Sequence, residues 1–158
     1  MDNPEDLQRA KAAGIKCLSY RNRSRHEVRE YLSKKGFSPE AIQETILYLQ
    51  KLNYLNDKIF AQSWGRSRIQ AKKLGKKRLR QELLSKGVEP ALVGDTLDSL
   101  YSDVDESQLA VEIVKKKLAG LKEMDVNRKR SRIAQLLARK GFNSETIYKI
   151  LDQFFPFE

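Results

Sequence analysis

Lys35-Gly36-Phe37, Lys86-Gly87-Val88 and Lys140-Gly141-Phe142 are one turn written three times. Four residues before the glycine stands Leu32, Leu83 or Leu137, and eight before it Val28, Leu79 or Ile133. Six after it come Ile42, Val93 and Ile147, ten after it Ile46, Leu97 and Leu151, thirteen after it Leu49, Leu100 and Phe154. Apolar residues at these offsets share one face of a 3.6-residue helix on each side of the turn. The glycine sits where a helix ends in a left-handed residue, a conformation that costs a residue with a Cβ about 1 kcal/mol or more. A new helix start follows: Ser38-Pro39-Glu40, Glu89-Pro90, and Asn143-Ser144-Glu145 without the proline. Proline at the first helical position loses only a donor that had no partner there. Glycine spacings of 51 and 54 residues mark a repeat protein, built of small helical units that share a core with their neighbours.

The expected fold is all-α, with nine helices in three tandem three-helix repeats: residues 1–55, 56–103 and 104–158. A chain of 158 residues has ample length for a core. Each third, at about 50 residues, is marginal alone, so the repeats should lean on one another. Asn3-Pro4-Glu5-Asp6 starts the first helix, Ser24-x-x-Glu27 is a capping box for the second, and Asn53 takes a left-handed position after the third. Asn56 or Asp57 caps the fourth helix, which carries Ile59, Phe60, Trp64 and Ile69 at core-like spacings. Trp64 reads as core rather than as a base-stacking platform. Gly75 breaks the chain between the fourth and fifth helices.

Lys and Arg number 31 against 21 Asp and Glu, a formal charge of +10. That balance suggests a polyanionic partner, nucleic acid or an acidic protein face. The single cysteine, Cys17, excludes an internal disulfide and reads as a small buried side chain. The lone histidine, His26, falls in an exposed first helical turn with no metal-ligand spacing around it. No apolar run reaches membrane-spanning length, and the acidic N-terminus lacks the regions of a signal peptide, so a soluble cytoplasmic protein is expected. There is no glycine-rich phosphate loop and no nucleophile with a base, so neither catalysis nor a cofactor is expected.

Binding remains, and the basic clusters are its candidate residues. Arg66, Arg68, Lys72, Lys73, Lys76, Lys77 and Arg78 stand in a run with a single acid, Glu82, before Gly87. Arg23 and Arg25 precede the first turn, and Arg128, Arg130 and Arg132 precede the third. Arg25, Lys76 and Arg130 each lie eleven residues before their glycine, so stacked repeats would line them up as one basic stripe suited to an elongated polyanion. None of Arg66, Arg68, Lys76 and Lys77 holds a core offset, which marks them as exposed. A helix–turn–helix reader of bases needs Arg, Lys, Asn or Gln at the start of the helix after the turn. Here those helices begin with Glu40, Glu89 and Glu145 nearby, the wrong sign for a groove.

Arg23-Ser24-Arg25 with Lys35-Gly36-Phe37, then Asn53-Tyr54-Leu55-Asn56-Asp57 with Phe60-Ala61 and Trp64, then Arg78-Leu79, Glu82-Leu83 and Lys86-Gly87-Val88, together resemble the RecX family. The resemblance covers residues 12 to 154. It implies three tandem three-helix repeats in an elongated, curved molecule. It also implies a monomeric modulator that binds the RecA filament on DNA, suppresses its ATPase, strand-exchange and co-protease activities, and favours its disassembly. Two departures stand out: Asn53 replaces the usual glycine, and the third repeat has Ser144 in place of the proline. The alternative reading is an architectural protein that binds single- and double-stranded DNA weakly and without regard to sequence.

Overall fold

The computed structural model describes residues 3–157. Among them the chain forms nine helices and no strand: α1 (Pro4–Tyr20), α2 (Arg25–Lys34), α3 (Pro39–Lys51), α4 (Asp57–Lys72), α5 (Lys76–Ser85), α6 (Pro90–Tyr101), α7 (Glu106–Ala119), α8 (Val126–Lys140) and α9 (Ser144–Phe154). Short polar side chains take up the first orphan N–H groups of these helices. Asn3 accepts from the Glu5 N–H at the start of α1. The Ser24–Glu27 capping box of α2 is complete in both directions. Asn56, rather than Asp57, caps α4, accepting from the N–H groups of Lys58 and Ile59.

The three turn glycines are all left-handed, with φ of 87°, 79° and 93°, and Asn53 joins them at 59°. In each turn the residue after the glycine donates its N–H to the leucine four before it: Phe37 to Leu32, Val88 to Leu83 and Phe142 to Leu137. This is the six-to-one bond of a helix that ends on a left-handed residue. The same leucines bury their side chains completely. One residue therefore anchors both the core and the turn, which is why the spacing recurs.

Compactness divides the chain in its own way. One unit runs to Ser63 and includes Leu83–Val93; the other takes Trp64–Glu82 and the chain from Gly94 on. In the first, Val28, Leu32, Ile42, Ile46, Leu49 and Leu55 form the core beneath α1–α3. Gly14 lets α1 close on α3, since a Cβ there would press on Leu49 and Thr45. In the second, Val114, Ile133, Leu137, Phe142, Ile150 and Leu151 are central. Gly65 of α4 does for Leu100 of α6 what Gly14 does for Leu49. Cys17 is buried, and burial pushes its thiol above the ordinary value. Ile59 departs from expectation: it is half exposed, because Phe60 and Ala61 take the inward positions of that turn.

Each unit contains a joint in which the end of one repeat's second helix meets the start of another's. In the first unit the Ser24 hydroxyl donates to the Lys86 carbonyl at 2.6 Å. In the second the N–H groups of Gly75 and Lys77 donate to the carbonyls of Lys140 and Gly141, at 2.7 and 3.2 Å. Carbonyls left over at one helix end thus satisfy donors left over at another. A second hydrogen bond recurs beside each joint: Arg25 N–H to the Asp57 carboxylate, and Lys76 N–H to that of Glu106, both at 2.8 Å. Both acids are the first residue of the following repeat's first helix, so they tie adjacent repeats together.

Gly75 belongs to this joint. It does interrupt the chain between α4 and α5, but the left-handed residue there is Lys73, at φ 53°. A Cβ on Gly75 would lie 2.6 Å from the Gly141 carbonyl, so glycine is required for backbone approach rather than for its dihedral freedom.

Candidate functional site

The basic residues read from the sequence fall into three circumstances. Some are held by local partners. Arg23 donates its Nε–H to the Cys17 carbonyl at 3.1 Å. Arg68 makes two bonds to the Glu82 carboxylate, at 2.8 and 2.7 Å, and Trp64 donates its indole N–H to the same group at 3.2 Å. Arg68 also lies over the Trp64 ring, 5.7 Å from its centroid. Trp64 is only half-buried, and Arg68 is a fixed element of the α4–α5 contact rather than an exposed cation. Arg130 pairs with Asp152 at 3.5 Å and reaches the carbonyls of Leu151 and Phe155 at the end of α9.

Others sit in exposed pairs: Lys76 with Asp98 at 3.3 Å, Lys73 with Glu112 at 3.5 Å and Arg128 with Asp125 at 3.7 Å, while the exposed Arg78 reaches the shielded Glu82 at 3.8 Å. Exposed pairs of this kind contribute about 1 kcal/mol or less each, so such side chains can turn to another anion at little cost. Arg66, Lys72, Lys77 and Arg132 are exposed. Arg25 is half-buried, with its backbone on Asp57.

What the second unit does bring together is a groove. Lys72 and Lys73, at the end of α4, face Lys116 and Lys117 of α7 and Lys140 of α8 across a cleft of about 440 Å³. Its apolar floor is Ile113, Leu121 and Leu136. A second cleft of about 430 Å³ shares Lys72, Leu136 and Lys140 as walls and adds Arg68, Arg78 and Arg139. The Lys140 ammonium donates to the Lys72 carbonyl at 2.8 Å. Burial pulls the Lys140 ammonium below its ordinary value, and the neighbouring charges of Lys72, Arg68, Lys73 and Arg139 pull it the same way. Among the described residues, Glu112 is the acid lining the first cleft, and no carboxylate pairs with Lys72, Lys116, Lys117 or Arg139. Cations in excess of carboxylates beside apolar walls are chemistry for holding an anion.

Repeat alignment could not find this groove. It groups residues equivalent by offset, whereas the groove joins α4, α7 and α8 at unrelated offsets. Lys116, Lys117, Arg139 and Lys140 were therefore missed as site residues, although Lys115-Lys116-Lys117 stands out as a basic run. Among the described residues no helix is long and apolar enough to cross a membrane.

Three family models match in order along the chain: RecX, first three-helix domain, over residues 10–49; RecX, second three-helix domain, over 56–97; and RecX, third three-helix domain, over 104–151. The Regulatory protein RecX of Oceanobacillus iheyensis is 36% identical over 154 residues, covering 97% of this chain and 56% of the relative. The chain thus spans little more than half the length of that relative. The Regulatory protein RecX of Chlorobium phaeobacteroides is 35% identical over 150 residues, covering 95% of this chain and 96% of its own. The crystal structure of RecX from Lactobacillus salivarius superposes with a TM-score of 0.81 at 27% identity, covering 96% of this chain and 97% of that one. With all three three-helix domains matched in sequence order and the same fold in a solved relative, the chain belongs to the RecX family.

Proposed function

We propose that the chain is a negative modulator of the RecA recombinase, acting by binding the RecA–DNA filament and suppressing its ATPase, strand-exchange and co-protease activities. Membership of the RecX family through all three three-helix domains is the observation that carries this reading. The surface is consistent with it. The functional groups gathered in the second unit are cations over an apolar floor, suited to binding a polyanionic assembly rather than to making or breaking bonds. The chain works as a cytoplasmic monomer without a cofactor.

The test is a titration of DNA-dependent ATP hydrolysis by RecA on single-stranded DNA. Inhibition is expected at a small fraction of the RecA concentration, because a bound modulator acts on a cooperative filament. An architectural protein that merely competes for DNA inhibits only once there is enough of it to cover the strand. Inhibition confined to that range would overturn the proposal.

A further inference from the structure

The groove between α4, α7 and α8 carries more than a general attraction to anions. Its two clefts share the walls Lys72, Leu136 and Lys140, so they form a trough open along its length rather than a closed pocket for a small molecule. Cations come from all three helices: Lys72 from α4, Lys116 and Lys117 from α7, Arg139 and Lys140 from α8. Neither lining includes an aromatic ring on which a base would stack, nor an Asn or Gln to read a base edge. What remains is several cations beside apolar side chains, chemistry that suits the charged backbone of a nucleic acid rather than its bases. Burial first, and the neighbouring cations second, pull Lys140 below its ordinary value, and an entering anion offsets the second of these. Glu112, ion-paired with Lys73 at 3.5 Å and about half exposed, already plays the anion's part at one edge.

We propose that this trough, rather than the arginines at the helix entries, is the chain's seat for a nucleic-acid phosphate backbone, with Glu112 as a resident anion that a phosphate displaces from Lys73. The proposal deepens the RecA-filament reading by naming where the DNA of that filament is met. It commits to a sequence-independent backbone contact, and an acidic peptide is the competing occupant that the test must exclude.

The measurement is fluorescence anisotropy of a labelled mixed-sequence duplex with the full chain, across a series of salt concentrations. K116Q with K117Q removes two exposed charges from one wall, and thermal melting should show the fold intact. Affinity is expected to fall on the order of tenfold, and the log–log salt slope to become shallower by about 1.8 for two lost phosphate contacts. R128Q with R132Q removes the same charge at a helix entry and should leave affinity within about twofold, since it takes nothing from the trough. E112Q should tighten binding about threefold by freeing Lys73 and removing a negative charge.

An entry variant that loses more than the groove variant overturns the proposal, as does an E112Q chain that binds more weakly. A polyglutamate peptide bound more tightly than the duplex, and lost in K116Q with K117Q, would assign the trough to an acidic protein segment instead. RecA ATP hydrolysis, measured with the same variants, separates the two readings. A groove variant that keeps its DNA affinity but no longer inhibits RecA defeats this inference and leaves the RecA reading standing. A wild-type chain that never inhibits RecA while its groove variant loses DNA defeats the RecA reading alone.

Discussion

Gly141→Ala is expected to destabilise the fold by about 3 kcal/mol, against about 1 kcal/mol for Gly36→Ala, although both glycines occupy the same place in the repeat. Both are left-handed, so both substitutions carry the backbone term of about 1–2 kcal/mol. The difference lies in what faces them. Around Gly36 a Cβ would meet nothing within 4 Å. On Gly141 it would overlap the backbone N and the Cβ of Arg78, which belong to the start of α5 and cannot turn aside. Relieving that overlap means opening the joint, with loss of the Gly75 and Lys77 hydrogen bonds to the Lys140 and Gly141 carbonyls. Overpacking of this sort adds about 1–3 kcal/mol. Gly87→Ala should behave like Gly141→Ala, because its Cβ would overlap the Cβ of His26 at the start of α2. Thermal melts of the three single variants give the order, with a midpoint lowered by about 6–12 °C for Gly141→Ala. Equal losses at all three positions would mean that the joints contribute nothing beyond the backbone conformation.

Glu82→Ala should cost about 2–3 kcal/mol, the largest loss expected from any single charge. Glu82 holds Arg68 through two hydrogen bonds and Trp64 through a third, and its side chain is only 14% exposed. Removing it leaves a guanidinium and an indole N–H without their acceptor inside the α4–α5 contact. The loss stays below that of a fully buried pair because Arg68, 28% exposed, can swing toward water. Burial alone would raise the Glu82 carboxyl. The Arg68 hydrogen bonds and charge, the Trp64 N–H and the Arg78 charge outweigh it and hold the group below its ordinary value of 4.5. Glu27 is depressed in the same sense: Arg21, the Ser24 N–H and Lys86 overcome its burial. A carboxyl lowered in the folded state contributes stability that is complete above the ordinary value and lost as pH falls through the folded one. The wild-type chain should therefore lose stability below about pH 4.5, and Glu82→Gln should show a shallower acid limb. An unchanged acid limb in chemical denaturation would show that the Arg68–Glu82 contact does not support the fold.

Replacing Arg68 together with Arg66, Lys76 and Lys77 by Glu is consequently not a test of surface charge alone. By offset Arg68 looks as exposed as its neighbours, yet Arg68→Glu would set one carboxylate against another in the α4–α5 contact. Arg66, Lys72 and Lys77 are the exposed cations that can be reversed there without touching that network.

What the sequence made legible was what local chemistry decides. Ser24, Ser38, Asn56 and Asn143 cap their helices because a short acceptor beside orphan N–H groups leaves little choice. The leucine four residues before each turn glycine is buried because side chain and carbonyl are both recruited at that spacing. The left-handed conformation expected of Asn53 is found, at φ 59°. Lys73 is left-handed too, though nothing about lysine favours that conformation and no signal in the sequence marks it; it stands two residues before Gly75, whose backbone meets Gly141. The joints and the groove were invisible for the same reason. Ser24 and Lys86, or Lys72 and Lys140, lie more than sixty residues apart, and no periodicity relates them. Charge was legible as a quantity and not as a place: Arg68 and Arg130 are tied down, while Lys116 and Lys140 shape the trough.

The role proposed for the chain rests on preference for the RecA filament over the DNA inside it, and retention measures that preference directly. Single-stranded DNA tethered to beads is either left bare or coated with RecA and held with a non-hydrolysable nucleotide. The chain is then applied to both over a range of salt. Binding to bare phosphates falls steeply as salt rises, because it depends on counterion release. Retention on the coated strand is expected to persist at salt concentrations that strip the chain from the bare one. Equal release from both, at the same salt, would contradict the account and leave a sequence-independent DNA-binding protein.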